Sequence, residues 1–73
     1  MGTRIQQYDV VALTRDLPDA GLICGQVGTV VEILAPGMFE VEFSDDNGRC
    51  YAELAISGDD LVALHYAPLT TNP

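Results

Sequence analysis

Three glutamates, Glu40, Glu42 and Glu53, stand where paired carboxylates could do acid–base work. Glu40 and Glu42 lie two residues apart in the alternating stretch MFEVEFS, so both project from one face of an extended strand. Glu53 follows a tight-turn signal and comes beside them if its strand pairs with theirs. Carboxylates held that close raise one another's pKa, so that one can donate a proton while the other accepts. Such chemistry needs a cleft that excludes water, and the outer face of a hairpin is open to it. The pattern therefore reads as a solvated face. Its functional form is an acidic docking patch for a basic protein.

The other candidates are weaker. His65 is the single histidine, and neither a cysteine nor an aspartate stands at ligand spacing from it. A triad could be assembled from Ser44 or Ser57, His65 and an aspartate, but no nucleophile-elbow pattern supports one. Asp45-Asp46-Asn47-Gly48 has the look of a calcium loop. Such a loop needs about six oxygen ligands and a distal bidentate glutamate. Glu53 follows too soon, so these read as turn residues. Cys24 and Cys50 fit neither a CxxC pair nor a zinc set. They are expected as buried free thiols, with a disulfide left open. Arg4, Arg15 and Arg49 are too few and too scattered to track phosphates. No catalytic, cofactor or metal residue is assigned.

Bulk properties narrow the classes further. The 73 residues allow one domain with one small core. Apolar residues make up 48% of the chain, enough for a globular fold. Eleven carboxylates against three arginines give a net charge of −8. That charge repels phosphate backbones and anionic lipid, so nucleic-acid and membrane partners are disfavoured and a basic protein is the expected partner. No signal peptide is expected, since MGTRIQQ lacks an apolar core segment, and no apolar run reaches membrane length. The expected location is the cytoplasm.

These residues must be positioned by short strands. Residues 1–7 read as a lead-in, 8–64 as the folded unit and 65–73 as a tail with two prolines. The strands are expected at Tyr8–Leu13, Gln26–Leu34, Met38–Ser44, Arg49–Ile56 and Leu61–Leu64. Pro36-Gly37 and Asn47-Gly48 mark the two tight turns. Gly28 inside a strand pattern suggests a bulge or a close backbone approach. On the second strand Val30, Glu32 and Leu34 are expected on one face. On the fourth, Cys50, Ala52, Leu54 and Ile56 share a face opposite Tyr51, Glu53 and Ala55. Thr14–Gly25 is a long loop, with Leu17, Leu22 and Ile23 tucked inward. Ser57–Asp60 suits a single 3-10 turn capped by Ser57 or Asp59. The fold class is all-β: a small five-stranded SH3-like barrel with a long first loop and a short 3-10 turn before the last strand.

The stretch G-Q-V-G-T-V-V-E-I at Gly25–Ile33 is similar to the strand of KOW-type SH3-like barrels. Tyr8–Leu13, Asp16–Pro18, Gly25–Glu32, Phe39–Phe43 and Asp59–Leu64 together resemble a small bacterial domain-of-unknown-function family of stand-alone chains. That resemblance spans Tyr8 to Leu64, implies an SH3-like fold and supplies no activity. The KOW likeness implies ribosome or transcription partners.

The expected function is a non-enzymatic protein-interaction module. Regulating or neutralising a partner, in the manner of an antitoxin or immunity protein, is one form of it. Its expected contacts are the first loop, through Arg15, Asp16, Leu17 and Asp19, and the acidic strand faces, through Glu40, Glu42 and Glu53. A PxxP groove is disfavoured, because the chain has no tryptophan and its tyrosines are scattered. The alternatives are a KOW-type nucleic-acid or ribosome accessory, or the non-catalytic subunit of a larger enzyme. An unpaired strand edge leaves a homodimer open. An enzyme acting alone is disfavoured, because so small a barrel leaves little room for a pocket of the usual roughly 300 Å³ or more.

Overall fold

The computed structural model describes residues 4–65. The elements are β1 (Val10–Leu13), a 3-10 turn at Pro18–Ala20, β2 (Val27–Ala35), β3 (Met38–Ser44), β4 (Cys50–Ser57), a second 3-10 turn at Gly58–Asp60, and β5 (Leu61–Ala63). All strands pair antiparallel in one sheet, in the order β4-β3-β2-β1-β5. The fold is therefore all-β, with a 3-10 turn before the last strand as expected. Among the described residues the ladder does not close on itself: β4 and β5 stand at its two ends. No helix among the described residues is long and apolar enough to cross a membrane.

Alternation decides the central strand. Phe39, Val41 and Phe43 of β3 are buried, while Glu40 and Glu42 face the other way and are half-buried. Val11 and Leu13 from β1, Val30 from β2, Ile56 from β4 and Leu61 from β5 complete the core with Leu22 of the first loop. Gly28 is required beside this core. A Cβ there would lie 2.8 Å from both the Glu42 carbonyl oxygen and Val41 Cγ1. The close backbone approach expected at this glycine is present.

Bulges overturn two of the expected faces. In β2 the pairing steps from Val30–Val41 to Glu32–Glu40, then from Ile33–Phe39 to Ala35–Met38. Val31 and Leu34 are the extra residues. Val30 consequently faces the core, while Glu32 faces outward beside Glu40, rather than both sharing a face. In β4 the pairing steps from Phe43–Ala52 to Ser44–Cys50, with Tyr51 as the extra residue. Cys50 thus leaves the face of Ala52, Leu54 and Ile56 and joins that of Glu42 and Glu53. Tyr51 instead leans toward Phe43, ring centroids 6.4 Å apart. Its hydroxyl accepts a hydrogen bond from Gln26 Nε2 at 3.3 Å.

Several boundaries also differ. β1 begins at Val10, because Tyr8 sits at φ 73 in a turn. The Asp9 amide donates to the Gln6 carbonyl, and the Gln6 amide donates to Asp9 Oδ2. In the first loop, Leu17 and Leu22 turn inward and bridge each other, but Ile23 is 62% exposed. Its amide is held by Gln26 Oε1, which fixes the backbone with the side chain outside. Pro18 starts the unexpected 3-10 turn in this loop, since its fixed φ suits a first helical position. At the second such turn Ser57 Oγ accepts from the Asp59 amide, so Ser57 is the cap. The expected proline-bearing tail lies outside the described residues beyond His65.

Candidate functional site

Two surfaces meet along β4. The first is the outer face of β2, β3 and β4. Glu32 pairs with Glu40, and Glu42 pairs with Glu53. Side chains of paired residues point to the same side, so four carboxylates share this face. The expected association of Glu40, Glu42 and Glu53 is present, and the Val31 bulge adds Glu32 to it. No sequence signal placed Glu32 there, because strict alternation puts it on the face of Val30.

The electrostatics follow from this crowding. Glu53 holds its carboxyl above the ordinary carboxylate range. Lost hydration is the first cause, followed by a hydrogen bond with Glu40 and repulsion from Glu40 and Glu42. The Cys50 thiol is also pushed up, first by lost hydration and then by the nearby Glu42 and Glu53 charges, against a lowering contact with the Ala52 backbone. Cys24 and Cys50 are free and both exposed, which corrects their expected burial. The Tyr51 bulge exposes Cys50, and Cys24 follows the exposed Ile23.

Glu42, Cys50 and Glu53 bring one potential ligand atom each to within 4.8 Å of one another. Metal binding needs the thiolate. Lost hydration first, and then the Glu42 and Glu53 charges, push that thiol up, and the trio is described as part of the acidic face. Asp45 also has a structural task. Its Oδ1 accepts from the amides of Asn47 and Arg49, both at 2.9 Å, and its carbonyl accepts from Gly48. This is the turn reading of Asp45-Asp46-Asn47-Gly48.

The second surface is a groove of about 290 Å³ between the first loop and the end of β4. That volume is near the lower limit of small-molecule pockets, about 300 Å³. Leu17, Pro18 and Asp19 form one wall, Leu54 to Ser57 the other, with Arg15 and Asp60 at the rim. Arg15 Nε donates to Asp60 Oδ1 at 2.9 Å, and the Thr14 amide donates to the Asp60 carbonyl. These bonds fix the loop to the second 3-10 turn. The hydrogen bond to Asp60, followed by its charge, raises the Arg15 pKa further.

Of the expected first-loop contacts, Arg15, Leu17 and Asp19 come together at the groove. Asp16 does not line it: its Oδ1 accepts from the Cys24 amide at 2.8 Å and closes the loop internally. Asp60 and the Leu54–Ser57 wall were not singled out by sequence, because an alternating strand does not reveal which loop will lie beside it. His65 is exposed, beyond β5. The family model described as "Domain of unknown function (DUF4926)" matches residues 7–63, more than half of the chain. No curated protein and no solved structure matches.

Proposed function

The chain belongs to the DUF4926 domain-of-unknown-function family, and we propose that it is a non-enzymatic interaction module that binds a basic protein. The observation that carries this reading is the shared face of Glu32, Glu40, Glu42 and Glu53 beside the first-loop groove. Like charges placed opposite each other across strands cost stability. A cationic partner relieves that cost on binding and is steered toward a chain of net charge −8. The groove, with Leu17 and Leu54 among its walls, adds apolar area next to the charge. The long first loop, the sheet order and the 3-10 turn before β5 support an SH3-like barrel as the finer description of the fold. Free thiols suit a reducing cytoplasm. Regulating or neutralising the partner is the role such an acidic module would serve.

The test is affinity capture from native lysate with the natural chain and with an E40K/E42K/E53K variant as baits, both checked for folding. A lysine- or arginine-rich protein held by the first and lost by the second is the expected result. Equal capture by both baits overturns the acidic-face reading. RNA that washes off with salt would replace it with the nucleic-acid accessory reading.

A further inference from the structure

Among the described residues β4 is an edge strand, with the first loop facing it across the groove. β5, at the other end of the sheet, has three residues, too few to template a partner. β4 has eight, Cys50–Ser57, and among the described residues pairs with β3 alone. Among the described residues no backbone hydrogen bond joins it to the first loop on its other side. Edges are usually guarded by proline, lysine or a bulge. β4 contains no proline or lysine, and its bulge lies at the Cys50–Ala52 end. The stretch from Glu53 to Ser57 is regular.

Ladder geometry identifies the free groups. The Gly58 amide donates to the Gly37 carbonyl at 2.9 Å, flanking the Met38–Ser57 pair. Bonded and non-bonded pairs alternate in an antiparallel ladder. Phe39–Ile56 and Val41–Leu54 are therefore bonded pairs, so the amides and carbonyls of Ile56 and Leu54 point to β3. Those of Glu53, Ala55 and Ser57 point away from the sheet, ready to pair with another strand.

We infer that β4, from Glu53 to Ser57, accepts an extended segment of a partner protein as an added strand, with Lys or Arg at every second position. This rests on the interaction-module reading and specifies how the partner binds. Charge selects the occupant. Alternate side chains of an added strand fall on the outer face beside Glu53, with Glu42 behind it on β3. The remaining side chains turn toward the groove lined by Leu17 and Leu54, which favours small apolar residues there. A second copy of this chain fits poorly, because it would join two chains of net charge −8.

The probe is a synthetic peptide of about ten residues alternating Lys and Val, with a Glu–Val peptide as control. Backbone amide exchange is followed by NMR. Saturating Lys–Val peptide is expected to slow exchange at Glu53, Ala55 and Ser57 while Leu54 and Ile56, already bonded to β3, change little. Glu53→Lys is expected to weaken binding roughly fivefold or more, the scale of a cross-strand charge pair reversed. Ala55→Pro removes an outward amide without removing a β3 bond and is expected to abolish binding. Retained amide protection in β2 and β3 shows whether that variant is folded, and Glu53→Lys carries the test if it is not. Binding without new protection at these three amides overturns strand addition but leaves the interaction module standing. Failure of the Lys–Val peptide to bind also overturns the inference, while the lysate capture decides the broader reading separately. Protection that appears with protein concentration alone would make a second copy the occupant and overturn the choice made here.

Discussion

The Glu53 carboxyl binds its proton more tightly in the folded chain than an ordinary carboxyl does, since lost hydration and the charges of Glu40 and Glu42 disfavour ionisation. The consequence for stability has a definite sign. Where the folded state binds more protons than the unfolded state, stability falls as pH rises. The contribution of Glu53 is fully present below its unfolded pKa and is lost as pH climbs through the raised folded value. Urea midpoints measured from about pH 4 to 7 should therefore decline over that window by more in the natural chain than in Glu53→Gln. Identical slopes would show that Glu53 is not strained by its neighbours. The same crowding explains Cys50, whose thiol is exposed yet pushed up. Asp16 and Asp45 show the opposite use of a carboxylate: each accepts backbone amides and holds a loop shut.

At the scale of elements, β2 passes so close to β3 that a methyl group has no place at Gly28. Its Cβ would meet the Glu42 carbonyl oxygen and Val41 Cγ1, both at 2.8 Å. Val41 is fully buried and the carbonyl belongs to the strand itself, so neither can swing aside cheaply. Gly28→Ala is expected to cost about 1–3 kcal/mol, read as a lower urea midpoint. An unchanged midpoint would mean that β2 and β3 separate freely. Three bulges, at Val31, Leu34 and Tyr51, determine which side chains these strands present. Each turns the succeeding residues over, because side-chain direction has a period of two. The acidic face is a product of two of them. Without the Val31 bulge Glu32 would not lie beside Glu40, and without the Tyr51 bulge Cys50 would not lie beside Glu42.

The whole molecule carries a charge of −8 on a small sheet, so self-repulsion opposes its compact state. Raising NaCl from about 10 mM to 1 M shortens the screening length from roughly 30 Å to 3 Å. The thermal midpoint is expected to rise with that change, and to rise less in E42Q/E53Q, which removes the facing pair. A midpoint indifferent to salt would show that the carboxylates are too far apart, or too well hydrated, to matter. The sheet also has a directional asymmetry. One end is the short β5 and the other is the long β4, bordered by both the acidic face and the groove. Charge and an open edge thus meet on the same side of the molecule.

The number of strands, the two tight turns and the buried side of β3 were legible in the chain because they depend on local rules. Alternating Phe39, Val41 and Phe43 demand one buried face, and Asn47-Gly48 supplies the backbone freedom for reversal. The 3-10 turn capped by Ser57 was legible for the same reason. The register of β2 and β4 was not. A bulge costs one unpaired residue and is settled by how both neighbouring strands fit together, so Val31, Leu34 and Tyr51 carry no local mark of it. Cys24 and Ile23 were misplaced inward because apolar character alone does not say which side of a loop reaches the core. Charge and fold class were thus set along the chain. Only tertiary pairing decided that Glu32 joins the acidic face, that Arg15 is tied to Asp60, and that the backbone of Glu53, Ala55 and Ser57 is left facing outward.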